Sequence, residues 1–178
     1  MNEPMVSERT SRSMVGSVGK TGAMADLAEL ARATLARNRF MVLGTVDPDG
    51  RPRVSPVWFS LVDHQDVYWL SSPDAHHSRN VEERPEVSIV VFDSGADPHT
   101  GQAVYLEATA SRVREDKLRD ACTRAFRGVA PELSYTAESL AQEPFVLYRA
   151  RITATEVHVR GRDFGDGTGA DQRVAVRL

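Results

Sequence analysis

Apolar positions recur with two different periods along this chain, and the switches between them mark out its elements. Leu27, Leu30, Ala31 and Leu35 follow the i, i+3, i+4, i+8 spacing of one helical stripe, with Thr34 at the i+7 place. Residues 40–46 (FMVLGTV) are an apolar run that ends in Asp47-Pro48-Asp49-Gly50. Pro48 presets φ there, the Asp side chains bond nearby amides, and Gly50 accepts a positive φ, so the chain turns back. Residues 51–62 return as a strand with Ser55, Val57, Phe59 and Leu61 on one face and Pro56, Trp58 and Ser60 on the other. Pro52 and Pro56 donate no ladder hydrogen bond, which places that strand at an edge or a bulge. A turn at 63–66 leads to a third strand over 67–70, completing an antiparallel meander.

Ser72-Pro73-Asp74 then fits the start of a short helix over 75–83, stopped before Pro85. Residues 87–92 (VSIVVF) are nearly all apolar and predict a central strand, and residues 104–110 alternate as a further strand. Leu118, Ala121, Cys122, Ala125 and Phe126 return to helical spacing. Residues 145–160 read as a long strand broken near Ala154, and an edge strand is expected at 174–176. Strands with helices at the ends and between them predict an α+β fold on a closed antiparallel barrel. Residues 1–23 carry Ser, Gly and charge without an apolar period, so a disordered leader is expected, followed by one domain over 24–160. Residues 161–178 are expected to be a Gly/Asp-rich loop closed by the edge strand.

Composition narrows the function classes. With 178 residues, 41% hydrophobic and 26% charged, the chain is an ordinary globular length and mixture. Cys122 is the sole cysteine, so neither an internal disulfide nor a cysteine metal cluster forms. The first 24 residues hold no apolar signal core and no run approaches the ~18 residues of a span, so a cytoplasmic protein without a membrane segment is expected. A net charge of −3 argues against nucleic acid as a partner.

The densest polar chemistry is Ser71-Ser72-Pro73-Asp74-Ala75-His76-His77-Ser78-Arg79-Asn80, where a strand feeds a helix. A helix N-terminus offers unpaired amides and positive potential, and hydroxyls, imidazoles and a guanidinium beside it suit a phosphate. The other reading is an ordinary capped loop with solvated side chains. Adjacent His76 and His77 point to different sides of a helix and have no i+4 histidine, so no metal site is expected. Trp58 either packs in the core or walls a flat ligand.

The ordered series from Phe40 to Asp93, with its DG-R-P turn, P-V-W-F strand, S-R-N helix and P-E-V-S strand, resembles the pyridoxamine phosphate oxidase-like FMN-binding split barrels. The resemblance covers roughly residues 26–160. It implies a six-stranded split barrel with flanking helices that forms a homodimer, with FMN in a cleft between subunits and hydride chemistry carried by the cofactor on a small-molecule substrate. No catalytic acid or base is then required. It implies that Pro56, Val57, Trp58, Phe59 and Ser60 run along the flavin ring, mostly through backbone atoms, that Ser71 meets the ribityl chain or phosphate, and that His76, His77 and Ser78 hold the phosphate. Arg79 and Asn80 fall on the family's R-N pair, and His158 and Arg160 are candidates for contacts from the partner subunit. A protonated His77 would take the place of a basic family residue at the phosphate. The chain departs from authentic pyridoxamine phosphate oxidases, which are basic where it has Ser55, Ser60 and His76-His77 and which carry a C-terminal Arg-Leu-His motif it lacks. Vitamin B6 oxidation is therefore not expected. The deazaflavin coenzyme F-420 is the alternative cofactor, and a non-catalytic flavin or haem carrier, with His77 or His158 as haem ligand, is the alternative function.

Overall fold

A computed structural model describes residues 15–97, 101–161 and 169–178, with side chains from residue 26 onward. The fold is α+β, a curled antiparallel sheet with helices around it. The strands are β1 (Phe40–Val46), β2 (Pro52–Trp58), β3 (Ser60–Val62), β4 (Asp66–Ser71), β5 (Glu86–Phe92), β6 (Ala103–Arg112), β7 (Val146–Val159) and β8 (Gln172–Ala175). The helices are α1 (Val15–Arg37), α2 (His76–Glu83), α3 (Glu115–Ala125) and α4 (Ala137–Leu140), with a 3₁₀ turn at Pro131–Leu133. No helix among the described residues is long and apolar enough to cross a membrane.

The sheet order β2-β1-β5-β6-β7-β4-β3 puts β2 and β3 at opposite edges, although only Phe59 separates them in sequence. The stretch expected as one strand over 51–62 therefore supplies both edges. It crosses from one to the other at Phe59, whose side chain is 5% exposed and whose amide donates to the Arg39 carbonyl at 3.2 Å. The sheet is closed on itself by a single continuous chain rather than by a ladder.

Local chemistry sets the hairpins. Gly50 (φ 87°) allows the Asp47 amide to donate to the Arg51 carbonyl at 2.8 Å, which closes β1 on β2. Asp63 and His64 (φ 52° and 51°) make consecutive left-handed steps between β3 and β4, a conformation that Asp and His tolerate better than most residues. The break expected near Ala154 is a bulge. Glu107 pairs with Ala154 and Ala108 with Ile152, so Thr153 is the extra residue, and its hydroxyl donates to the Glu107 carbonyl at 3.1 Å. The count of eight strands against the six expected follows from the split at Phe59 and from β8, which starts at Gln172 rather than 174.

Helix α1 starts at Val15, well inside the leader expected over 1–23, because extending a packed helix costs little per residue once its first turn exists. Residues 1–14 of that leader, and 162–168 of the expected C-terminal loop, lie outside the described residues. The core has two parts. Leu43, Val67, Trp69, Val91, Leu106 and Val157 fill the barrel with Ala31 and Leu35 of α1. On the other side of β4 and β7, Tyr68 and Leu147 pack against Ala121, Cys122, Ala125 and Phe126 of α3. Cys122 is 2% exposed, and burial pushes its thiol up, so it is a packed apolar residue and not a nucleophile.

Candidate functional site

Pairing places Phe40 beside Trp58, Val42 beside Pro56, Gly44 beside Val54 and Val46 beside Pro52. Their neighbours Met41 and Leu43 are buried, so this set faces outward, leaving Phe40 62% and Val54 72% exposed. Val90, paired with Val42, and Phe92, two residues on, continue the apolar face onto β5. A contiguous apolar face of this kind marks an interaction surface. Of the five residues expected along a flavin ring, Pro56 shows its side chain on this face, while Trp58 is half-buried and packs against the second core. Val57 and Phe59 turn inward at 7% and 5% exposure, because alternation assigns them to the core. They could meet a ligand through backbone atoms only. Ser60 lies past the crossing, and its buried hydroxyl has no hydrogen-bond partner among the described residues.

The strand-to-helix junction gathers some of the expected phosphate residues and removes others. Ser71 ends β4, and its hydroxyl lies 2.7 Å from Nε2 of His77. The Ala75 carbonyl takes the amides of Ser78 and Arg79, both at 3.1 Å, and no side chain caps the helix. The amides of His76 and His77 are left without a partner among the described residues, a first turn open to an anion. His76 is exposed. Burial, with a smaller contribution from the charge of His76, pushes the His77 pKa below its ordinary value. In the free subunit this burial disfavours the imidazolium.

Ser78 and Asn80 point into the protein. Ser78 is 1% exposed, beside the Tyr148 hydroxyl. Asn80 is 3% exposed, and its amide donates to Thr45 Oγ1 at 3.0 Å and to Asp47 Oδ1 at 2.9 Å. That bond, followed by one from Arg53 at 2.6 Å, holds the Asp47 carboxyl below its usual range. Arg84 donates to the carbonyls of Asp47 and Pro48. Asn80 therefore braces α2 against the β1–β2 turn and is removed from the ligand-facing set. Arg79 is exposed, and its guanidinium donates to the Asp74 carbonyl, closing the loop before the helix.

His158 and Arg160 are elsewhere. Ser71 pairs with Val146 at the start of β7, and His158 lies twelve residues further along. At ~3.3 Å per residue that is roughly 40 Å of strand path. A single subunit does not unite them with the Ser71–His77 pair. His158 Nε2 lies 3.3 Å from the Asp171 carboxylate, and the neighbouring Arg173 guanidinium stacks 3.7 Å above the Tyr105 ring. Arg160 follows the end of β7 and is partly buried.

A cleft of about 290 Å3 at the Phe59 crossing escaped the sequence reading. Trp58, Ser60, His64, Arg39 and Arg127 line it. The guanidiniums of Arg39 and Arg127 have no acidic partner among the described residues. Its basic residues come from the end of α1, the β3–β4 turn and the end of α3, and no spacing in the sequence connects them. Among the described residues no group of three His, Cys, Asp or Glu side chains could hold a metal ion.

The family model for pyridoxamine 5′-phosphate oxidase matches residues 27–159. No curated protein sequence matches the chain. Among solved structures, a heme binding protein from Mycobacterium smegmatis is 23% identical with a TM-score of 0.62, the match covering 84% of this chain and 57% of that one. This chain thus spans little more than half the length of that protein. The heme storage protein HutZ of Vibrio cholerae is 24% identical over 71% of this chain and 90% of its own, with a TM-score of 0.57. An F-420 reductase is 22% identical over 70% and 94%, with a TM-score of 0.51. These likenesses are of fold.

Proposed function

Because the chain belongs to the pyridoxamine 5′-phosphate oxidase family, we propose that it is a homodimeric oxidoreductase that binds FMN between two copies and acts on a small molecule. The deazaflavin coenzyme F-420 is the alternative cofactor. The observation that carries the reading is the presence in one subunit of two features, on elements that Asn80 of α2 joins through its bonds to Thr45 and Asp47. An exposed apolar strand pair, with Phe40, Val54 and Pro56, offers a flat surface. The uncapped first turn of α2, with Ser71 and His77, offers hydrogen bonds to a phosphate. A ring with a phosphate-bearing tail requires that combination.

The bound flavin would supply hydride transfer. The chain's own residues position it and keep water out. The backbone of residues 56–60 runs along the ring, and the amides of His76 and His77 take the phosphate oxygens. His77 acts through its hydrogen bond with Ser71, and Arg79 is the exposed cation of the site. The second copy covers the apolar face and brings its own β7 end, with His158 and Arg160, to the ring. The cleft with Arg39 and Arg127 at the crossing gives the substrate its entry.

A second reading is a haem-binding protein. Its support is His158, a partly buried imidazole among apolar residues on the same outer face. Both readings are tested by the absorption spectrum of the purified protein titrated with FMN, F-420 and haemin. Saturable FMN or F-420 binding that is lost in Ser71→Ala/His77→Ala supports the first reading. Haemin binding that depends on His158, with no flavin binding, overturns it.

A further inference from the structure

A cavity of about 650 Å3 opens where α1 crosses the far ends of β7 and β8. It shares no residue with the Ser71–His77 junction or with the apolar face of β1 and β2. Ala28 of α1 and the exposed Ala154 and Ala175 line it, beside the Thr153 bulge. Thr155, 8% exposed, is the polar residue of the wall. Val176, Arg32 and Arg177 complete the lining, which contains no acidic side chain, and Arg32 also borders the cleft at the Phe59 crossing. Arg32 has a loose contact with Glu29 at 3.6 Å, both side chains being exposed to solvent. Arg177 has no ion-pair partner among the described residues.

An apolar cavity with a few convergent polar groups is the usual form of a small-ligand site, and this volume lies within the ~300–1,000 Å3 such sites have. A guanidinium with no acid to neutralise it, at the rim of an apolar hollow, matches an anion attached to an apolar body. We propose that this cavity binds a small amphiphilic anion, an acyl or aryl chain seated against Ala28, Ala154 and Ala175 with its carboxylate or phosphate held by Arg32 and Arg177. The site is separate from the proposed cofactor face and is independent of which cofactor that face holds.

The test is calorimetric titration of the full chain with octanoate, octyl phosphate, octanol and octylamine at matched ionic strength. Octanoate or octyl phosphate should bind at a single site, about tenfold or more tighter than octanol or octylamine. Whichever of the two binds more tightly identifies the head group. Arg177→Glu, at an exposed position, should weaken the anion about tenfold while leaving octanol unchanged. Ala175→Trp should fill the hollow and abolish binding, and saturating FMN should leave it intact. The proposal is overturned if neither anion binds saturably below ~5 mM. It is equally overturned if octanol matches octanoate, if Ala175→Trp has no effect, or if FMN displaces the anion. The last outcome would assign the ligand to the cofactor face.

Discussion

Replacing Asp66 by Asn should be among the most destabilising single-atom changes available to this protein. The Asp66 side chain is fully buried, and three guanidiniums converge on it. Nε of Arg149 is at 2.8 Å, Nε of Arg151 at 3.1 Å and Arg124 at 3.5 Å. Arg149 and Arg151 lie on β7 and Arg124 on α3, so one carboxylate ties β4 to its neighbouring strand and to the helix over the second core. The short charge-assisted bond from Arg149, with the longer bond from Arg124 and the ion-pair contact of Arg151, would be worth roughly 3–6 kcal/mol if all partners were dry. The guanidiniums, however, are 31–49% exposed and regain water when released. Allowing for that, and for the amide group that Asn turns toward a cation, the net loss should be about 2–4 kcal/mol. For a chain of this size that lowers Tm by about 4–16 °C. Thermal and urea unfolding followed by circular dichroism, with an unchanged urea slope, would measure it. A double-mutant cycle with Arg149→Met separates the pair from its surroundings, because the second change should cost much less once the first is present. A Tm shift below about 2 °C, or strict additivity in the cycle, would refute this account of the cluster.

Asn80→Ala should lower Tm by about 4–12 °C through loss of its two buried hydrogen bonds, even with no cofactor present. A stable variant that lost only cofactor affinity would restore Asn80 to the binding site. His77 is held neutral by burial, so unfolding releases it to take up a proton. Its contribution to stability should be complete above about pH 6.5, the ordinary histidine value, and should fall as the pH drops from there to its depressed folded value. Urea midpoints measured from pH 5 to 8 should show this slope in the wild type and a flatter one in His77→Gln. Val54→Asp, at a 72% exposed position, should leave the subunit folded but convert the proposed dimer to a monomer in light scattering. A wild type that is already monomeric at micromolar concentration would remove the shared-cleft reading.

The strands, hairpins and helix spacings were legible because their causes are local. The Asp47–Gly50 turn, the prolines of an edge strand and the apolar run of β5 each state their place within a few residues. The division at Phe59 was not legible, since alternation continues straight through it and only closure of the sheet imposes the crossing. The polar run 71–80 was readable as a candidate site, but sequence did not separate Ser71 and His77 from Ser78 and Asn80. That sorting depends on which face of α2 meets β1, and on an Asp47 brace thirty-three positions away. The cleft cations Arg39 and Arg127 have no common pattern in sequence, and the cavity beside α1 is lined by residues from three elements whose alanines read as ordinary packing.

The crossing at Phe59 also determines when the protein can be completed during its synthesis. The β1–β2, β3–β4 and β5–β6 hairpins need only their own turns, whereas Val42 must find Val90, 48 residues away, and Asp66 must find Arg151, 85 residues away. Pairings of that span are slow to form, because the chain loses loop entropy before it gains the contacts. On a translating ribosome β3 and β4 emerge early and wait for β7, with the two ends of the sheet unjoined and Trp69 and Val67 uncovered until residues 146–159 arrive. Throughout, and in the finished sheet as well, β2 is an edge strand and a template for pairing with other chains. Pro52 and Pro56, which withhold two donors from it, make it a poor one.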